Sequence, residues 1–269
     1  MATLPETKTL ALELDQGWLT VWFNQPERRN PLTDEAVEDL ATVITSIGPQ
    51  RDIRGMTIRG KGGFFCAGGD LKGFKALASG DSDASMTMSR RIGDVLADLN
   101  ALPQVTVAVI EGAAMAGGLG VACCCDVTIG MKDAKFGFSE TRIGITPAQI
   151  ARYVLQKCSY STGRRLMLTA ARFKGEEAGR LGVLDFVAET TEGLASIEQR
   201  VRQDVLECAP GAVAACKALI IGMPGTPDTE KVEFAAQNFS GCLQGDEGKE
   251  GVASFLEKRK PNWHTEIYK

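Results

Sequence analysis

Two glycine-lined stretches are the parts of this sequence best suited to chemistry. Residues 107–120 (VAVIEGAAMAGGLG) read as a short buried strand, a glycine-broken turn and the start of a helix, and residues 64–71 (FFCAGGDL) follow the strand-like segment 55–59 in the same way. The first N–H groups of a helix have no acceptor within the helix. Two such groups that converge form an oxyanion hole, which stabilises a thioester oxygen as it becomes an enolate.

Glu140 is the residue that we predict to move protons. It follows a strand-like segment and precedes a glycine corner, a position from which a carboxylate can point into a pocket. Burial there would raise its pKa toward the range that acid–base catalysis needs. A solvated loop position, the fate of most acidic residues, is the alternative interpretation of the residue taken alone.

Composition excludes several classes of protein. The chain has 269 residues, of which 44% are hydrophobic, and a formal charge of −4, which argues against nucleic acid as its main partner. No apolar run approaches the roughly 20 residues of a membrane span. The N-terminal residues lack a basic-then-apolar signal pattern, so we expect a cytoplasmic protein with no membrane partner.

Metal and histidine chemistry are not expected. The eight cysteines include no C-x-x-C pair, and three of them are consecutive, Cys123 to Cys125, so we predict that the cysteines pack in the core in a reducing compartment, with redox or metal roles as the alternative. His264 is the single histidine of the sequence, which argues against a Ser-His-Asp triad or a histidine-rich metal site. We expect no metal, nicotinamide or flavin cofactor.

The elements that must position these residues are predicted from hydrophobic periodicity and turn signals. Strands at 9–14 and 18–23 form a hairpin, Thr33 caps a helix that ends at Gly48-Pro49, and strands and helices then alternate. After Pro147 the pattern becomes mostly helical. We therefore predict an α/β core over residues 1–205 and a helical segment for association over residues 206–269. The other predicted elements are strands at 55–59, 105–110, 127–129 and 134–138, and helices near 70–78, 86–102 and 117–125.

Several motifs, taken together, resemble the crotonase (enoyl-CoA hydratase/isomerase) superfamily. They are the stretch from Phe65 to Lys72, the Ala116-Gly117-Gly118 corner that leads to Cys125-Asp126, residues 136–147 (FGFSETRIGITP) and the tail 255–261 (FLEKRKP). The resemblance implies a spiral of ββα turns with a helical trimerisation region, assembled as a homotrimer or a dimer of trimers. It also implies an acyl-CoA thioester as substrate, with coenzyme A present only as part of that substrate.

The resemblance also implies roles for individual residues. The backbone N–H groups of Gly69 and Gly117 would be the oxyanion donors, and Glu140 would match the second catalytic glutamate of the family. Phe255 and Lys258 would reach the CoA of a neighbouring subunit. The residues implied in substrate or CoA binding are Arg28, Arg29, Ala67, Asp70, Leu71, Gly120, Phe255 and Lys258.

One departure from the family leaves two reactions open. Hydratases with two glutamates carry the other one in the helix after the second corner, where this chain has Gly120. Either Glu140 makes both proton transfers of a hydration, or the reaction needs no water. A single base suits the shift of a proton between C2 and C4, as in the Δ3,Δ2-enoyl-CoA isomerases of the family.

Within the family, residues 144–151 (GITPAQIA) and 216–219 (CKAL) resemble hydratases of isohexenylglutaconyl-CoA. This resemblance favours a hydratase of a branched, glutaconyl-type thioester, with the isomerase as the alternative. We predict that Gly120 opens space for a branched, carboxylated acyl chain, so that glutamate at 120 would harm its turnover. Candidates for pairing with its distal carboxylate are Arg142, Thr146, Gln149 and Arg152, with solvated positions as the alternative. Some chains of this superfamily instead act as binding or scaffold proteins, including RNA binders. The presence of Glu140, of both corners and of an acidic pI favours an enzyme.

Overall fold

A six-stranded sheet is the centre of the fold. The structure, a computed structural model, describes residues 3–78, 80 and 82–265. Its strands, numbered along the chain, are β1 (Leu10–Asp15), β2 (Trp18–Phe23), β3 (Gly55–Gly60), β4 (Val105–Ile110), β6 (Val127–Met131) and β9 (Phe186–Ala188). The strand order is β1-β2-β3-β4-β6-β9, in which the first pair is antiparallel and the others are parallel.

The predicted N-terminal hairpin is confirmed. Asp15 pairs with Trp18 across a two-residue turn in which Gln16 (φ 47°) and Gly17 (φ 78°) both have positive φ. Such a turn matches the twist of the two strands that it joins. The strands begin and end within one residue of the predicted bounds.

A second sheet of three short strands carries the candidate site. It consists of β5 (Ala113–Met115), β7 (Lys135–Gly137) and β8 (Arg172–Lys174), with β7 in the middle. The sequence predicted β7, but not β5 or β8, because three residues are too few for a periodic pattern. The isolated bridges Leu32↔Gly69 and Cys66↔Ala114 lay the first glycine corner beside β5.

The helices cover both faces of the main sheet. Thr33 caps the first helix as predicted, since its Oγ1 accepts a hydrogen bond from Ala36 N at 3.1 Å. The helices are α1 (Asp34–Ile47), α2 (Leu71–Ala78), α3 (Ser82–Ala101), α4 (Gly117–Cys124), α5 (Ala151–Lys157), α6 (Tyr160–Leu168), α7 (Gly175–Arg180), α8 (Thr191–Glu207), α9 (Pro210–Gly222), α10 (Lys231–Gln244) and α11 (Asp246–Leu256).

Strand β4 shows how both faces of the sheet are buried. Ala108 and Ile110 lie in the larger core, while Val107 and Val109 lie in a smaller core with Leu194 of α8. Continuous apolar strands are typical of parallel sheets that are covered on both sides. The architecture is the predicted mixed α/β type.

The predicted boundary at residue 205 falls inside the last turn of α8, which ends at Glu207. Pro210 is the first residue of α9, a position at which a helix tolerates proline. Among the described residues, no single helix has the length and apolar composition of a membrane span, although the pair 191–207 and 210–225, bent by 103°, meets both criteria together.

The eight cysteines are all free, and five of them are buried. Burial raises the pKa of the Cys66, Cys123 and Cys125 thiols to about 12. The packing prediction is therefore confirmed for these five cysteines. It is wrong for the three in the C-terminal part, because Cys208 and Cys216 are exposed and Cys242 is half-buried.

Candidate active site

Three backbone segments meet at one edge of the small sheet. The parallel pairing of β5 with β7 brings their carboxyl ends together, and these ends lead to Gly117 and to Glu140. Met115 N donates to Cys66 O at 3.0 Å, and Ala116 N donates to Gly137 O at 2.8 Å. The two glycine corners and the loop of Glu140 are thus fixed beside one another.

Gly69 and Gly117, the two glycines predicted to be oxyanion donors, lie close together. A Cβ atom built on Gly117 would lie 4.0 Å from the backbone nitrogen of Gly69. Gly117 is the first residue of α4, so its N–H has no intrahelical acceptor. Within the described part of the chain, neither N–H has a hydrogen-bond acceptor. Both donors are therefore available to a ligand.

Close packing requires glycine at two positions of the corners. A Cβ at Gly69 would lie 2.5 Å from the ring of Phe74, and one at Gly118 would lie 2.5 Å from Cβ of Cys66. No real Cβ fits at such distances without movement of its neighbours. The contact of Gly118 with Cys66 packs the second corner against the first, and the contact of Gly69 with Phe74 packs the first corner against α2.

Ala116 holds a strained backbone conformation between the two corners. Its φ of 48° and ψ of −125° are rare for a residue with a side chain, and such strain costs on the order of 1–3 kcal/mol. Its N–H bonds to Gly137 O, and its carbonyl accepts from Gly120 N at 3.0 Å. Both bonds hold the turn that begins α4.

Glu140 is a buried carboxyl group with an unsatisfied oxygen. The residue is 8% exposed, and its Oε2 has no hydrogen-bond partner among the described residues. Burial raises the pKa of Glu140 because the charged form loses hydration. Its backbone is fixed by a short 3₁₀ turn that ends at Gly144 in the left-handed region (φ 78°). This is the environment of a group that exchanges protons.

A cavity of about 410 Å³ lies beside these groups, lined by Gly69 and Glu140 but not by Gly117, which directly follows the lining residue Ala116. Gly69, Ala116 and Glu140 line it together, so the strained turn and the carboxyl group face one space. Ile143 and Ile145 also line it and are 54% and 41% exposed, which gives the cavity an apolar rim. Six of its residues were given no role from the sequence, although the last four of them lie in the motifs quoted above: Pro31, Phe74, Ala116, Ser139, Ile143 and Ile145.

The predicted CoA-binding residues of the first corner lie partly in this cavity. Arg28, Ala67 and Asp70 line it, and Arg28 pairs with Asp70 at 3.3 Å. Arg29 lies over the ring of Phe64, 5.4 Å from its centre, and its carbonyl accepts from Ala67 N at 3.0 Å.

Of three further residues predicted to bind CoA, two do not line the cavity, and the third has a side chain outside the described part of the structure. Leu71 begins α2, but its side chain lies outside the described part of the structure. Phe255, in the last turn of α11, is 83% exposed, and Lys258 is exposed just beyond that helix. Neither lines the cavity of its own chain.

Gly120 does not open space for a substrate, which corrects the prediction. It is buried, and a Cβ built on it would lie 2.0 Å from Cγ2 of Ile150. The side chain of Ile150, itself 4% exposed, fills the volume that we expected to be open. The glycine at 120 is therefore explained by packing between α4 and the residue just before α5.

The candidates for binding a distal carboxylate have partners inside the protein. Arg142 donates from Nε and Nη2 to Ala170 O at 3.3 and 3.1 Å, and Gln149 donates to Ser89 Oγ at 2.9 Å. Arg152 lies over the ring of Tyr153 and bonds its hydroxyl. None of these side chains, nor Thr146, lines the cavity, so the structure does not bring them to the site.

Among the described residues, no group of three or more His, Cys, Asp or Glu side chains is placed to hold a metal ion. The arrangement combines two free N–H donors with one buried carboxyl group. It can stabilise a developing oxyanion while the carboxyl group moves a proton.

Comparison with known proteins gives the same picture over the whole chain. The family model described as enoyl-CoA hydratase/isomerase matches residues 13–266. The enoyl-CoA hydratase AFT6-1 of Alternaria alternata is 31% identical over 246 residues, which are 91% of this chain and 80% of that protein. A putative enoyl-CoA hydratase of Thermus thermophilus is 26% identical over 253 residues, which are 94% of this chain and 100% of that protein.

Solved structures are similar as well. Pseudomonas aeruginosa AtuE superposes with a TM-score of 0.93 at 39% identity, over 96% of this chain and 100% of that one. An enoyl-CoA hydratase/isomerase from Marinobacter aquaeolei gives a TM-score of 0.91 at 36% identity, over 95% of this chain and 98% of that one. The chain therefore belongs to the enoyl-CoA hydratase/isomerase family, the crotonase superfamily.

Proposed function

We propose that this protein adds water to the double bond of a branched enoyl-CoA thioester of the glutaconyl type. The observation that carries the proposal is Glu140, a buried carboxyl group whose Oε2 has no partner, in the same cavity as Gly69. Family membership supplies the enoyl-CoA class of substrate.

The proposed mechanism uses Glu140 for both proton transfers. The oxygen of a water molecule bonds to the β-carbon while the Glu140 carboxylate takes one of its protons. The electron pair of the double bond moves toward the thioester, whose oxygen accepts hydrogen bonds from the N–H groups of Gly69 and Gly117. The resulting enolate then takes the proton from Glu140 at the α-carbon, which restores the carboxylate and gives the 3-hydroxyacyl thioester.

The branched acyl chain is supported by the apolar rim of the cavity. Ile143 and Ile145 line the cavity and expose large apolar side chains, and apolar surface of this kind favours an apolar ligand. The resemblance of residues 144–151 to isohexenylglutaconyl-CoA hydratases points to that thioester within the class. Arg28, which lines the cavity, is a cation for a carboxylate or phosphate of the ligand.

A Δ3,Δ2-enoyl-CoA isomerase is the second candidate, and one observation favours it. Of the two carboxylates that line the cavity, Asp70 pairs with Arg28, which leaves Glu140 as the base. A single base removes a proton from C2 and returns it to C4, and the dienolate between these steps needs the same two N–H donors.

The test is turnover of a panel of enoyl-CoA thioesters, followed by mass spectrometry. A hydratase gives a product heavier by one water, whereas an isomerase gives a product of unchanged mass. Glu140→Gln should lower kcat at least about 10²-fold and leave CoA-ester binding intact. Glu35→Gln, an exposed glutamate of α1, is the matched control. Near-normal turnover of folded Glu140→Gln would exclude both mechanisms.

We further propose a homotrimer or a dimer of trimers in which Phe255 and Lys258 of one subunit contact the CoA of another. The support is the position of both residues on the exposed side of the C-terminal helices, away from the cavity of their own chain.

A further inference from the structure

Two motifs noted in the sequence, Cys125-Asp126 and Cys216-Lys217, meet in the structure. Lys217 lies on α9 and is 8% exposed, which is rare for a lysine. Its Nζ donates to Asp126 Oδ2 at 2.5 Å and to Gln104 O at 2.6 Å. The helical C-terminal segment is thus bound to the core by an ion pair between a buried lysine and an aspartate whose side chain is 31% exposed.

Asp126 is in turn tied to the main sheet. Its Oδ2 accepts from Thr106 N at 2.8 Å and from Thr106 Oγ1 at 3.0 Å, in addition to Lys217. Asp126 N donates to Thr106 Oγ1 at 3.0 Å. One carboxylate oxygen therefore accepts hydrogen bonds from three donors of β4 and α9, of which the Lys217 ammonium group carries the charge.

The position of Asp126 links this ion pair to the candidate oxyanion hole. Asp126 directly follows Cys125, the C-cap of α4, and α4 begins at Gly117. A helix of eight residues is about 12 Å long, and the residues of α4 after Gly117 are all buried. The ion pair and the Gly117 N–H therefore lie at opposite ends of one short, buried helix.

The C-terminal helices form one unit around α9. Glu247 of α11 accepts from Gly211 N and Ala212 N at 2.9 and 3.0 Å, and Asn238 of α10 donates to Ala215 O at 3.0 Å. Lys217 is therefore the point at which this unit reaches the end of α4.

We infer that Lys217 and Asp126 are positioning residues, which hold α4 so that the Gly117 N–H points at the substrate oxygen only when the C-terminal unit is docked. This inference rests on the proposed role of Gly117. It makes docking of the C-terminal helices a condition for catalysis.

The test separates alignment of the donor from stability of the fold. Acetoacetyl-CoA is the probe, because its enolate absorbs in the near ultraviolet and reports the strength of the oxyanion hole directly. Lys217→Met and Asp126→Asn should each raise the pKa of bound acetoacetyl-CoA and lower kcat by about tenfold or more, since small misplacements have large kinetic costs. The affinity for free CoA should stay within about twofold. Lys217→Arg, which keeps the cation, should restore part of the loss.

Three comparisons make the outcome decisive. Lys132→Met removes a surface ion pair with Glu189 just after β6, and should change none of these values. The two changes in Lys217 and Asp126 should be strongly non-additive when combined. If a single variant does not fold, Lys217→Met/Asp126→Leu removes both charges without leaving one unpaired.

Folded variants that stabilise the enolate as the natural protein does would overturn the inference and leave the proposed function standing. A natural protein that binds acetoacetyl-CoA without stabilising its enolate would overturn both.

Discussion

At the scale of single residues, burial of Glu140 makes a prediction about pH. The residue is 8% exposed, and burial raises its pKa above the ordinary value for glutamate. The proposed reaction needs the carboxylate, so kcat/KM should fall as the pH falls through this raised pKa. The acid limb of the profile should therefore lie at higher pH than for an exposed glutamate. Stopped-flow or steady-state rates between about pH 4 and 9 would measure it.

The same burial predicts a matching effect on stability. When the pKa of an acid is higher in the folded state than in the unfolded state, its contribution to the free energy of unfolding is fully present below the pKa of the unfolded state. This contribution is lost as the pH rises through the pKa of the folded state. Glu140→Gln removes the charge, so its Tm at pH 7–8 should equal or exceed that of the natural protein, and the difference should shrink near pH 4. A lower Tm for the variant at neutral pH would contradict the cause that we give for the shift.

At the scale of elements, the contact between α4 and Ile150 predicts a tight pair of positions. A Cβ at residue 120 would lie 2.0 Å from Ile150 Cγ2, so Gly120→Ala should destabilise the protein by roughly 1–3 kcal/mol. Ile150→Ala alone should cost roughly 2–5 kcal/mol because it leaves a cavity. The double variant should cost less than the sum, because the new methyl group enters that cavity. Urea unfolding of the four proteins measures the cycle.

The contact between residue 120 and Ile150 also changes the expected effect of a glutamate at residue 120. Gly120→Glu should lower the yield of folded protein. The protein that does fold should keep the natural preference between linear and branched thioesters. Gly73→Ala is a fair control for a substitution at a glycine, since nothing lies within 4 Å of its Cβ position. Gly63→Ala is not, because φ at Gly63 is 77°.

For the double-variant cycle, additive free-energy costs of Gly120→Ala and Ile150→Ala would show that the two positions are independent.

At the scale of the whole molecule, the C-terminal helices predict assembly. Val232, Phe239 and Phe255 are 82%, 67% and 83% exposed, and an apolar surface of this kind usually marks an interface. Light scattering should give three or six times the chain mass of 28.8 kDa. Phe239→Glu should lower that mass at low micromolar concentration, whereas Leu14→Glu, on the N-terminal hairpin, should not. A monomer that keeps its CoA affinity would exclude the proposed sharing of the site.

Much of the fold was predictable because its signals are local. Thr33 as an N-cap, the turn at Gln16-Gly17 and the apolar runs of β3 and β4 depend on residues close in sequence. The two corners and Glu140 were identified in the same way, from glycine pairs after strands and from motifs in family order. Their types and spacing determined that the chain carries backbone donors and one candidate base.

Only the tertiary structure decided what lies against these residues. Ile150 fills the notch at Gly120, the guanidinium of Arg142 bonds Ala170 O, and Lys217 reaches Asp126 across 91 positions of sequence. Strands β5 and β8 exist because β7 pairs with both. Local sequence cannot specify such contacts, because they depend on which distant side chain occupies a volume or satisfies a buried charge once the core has packed.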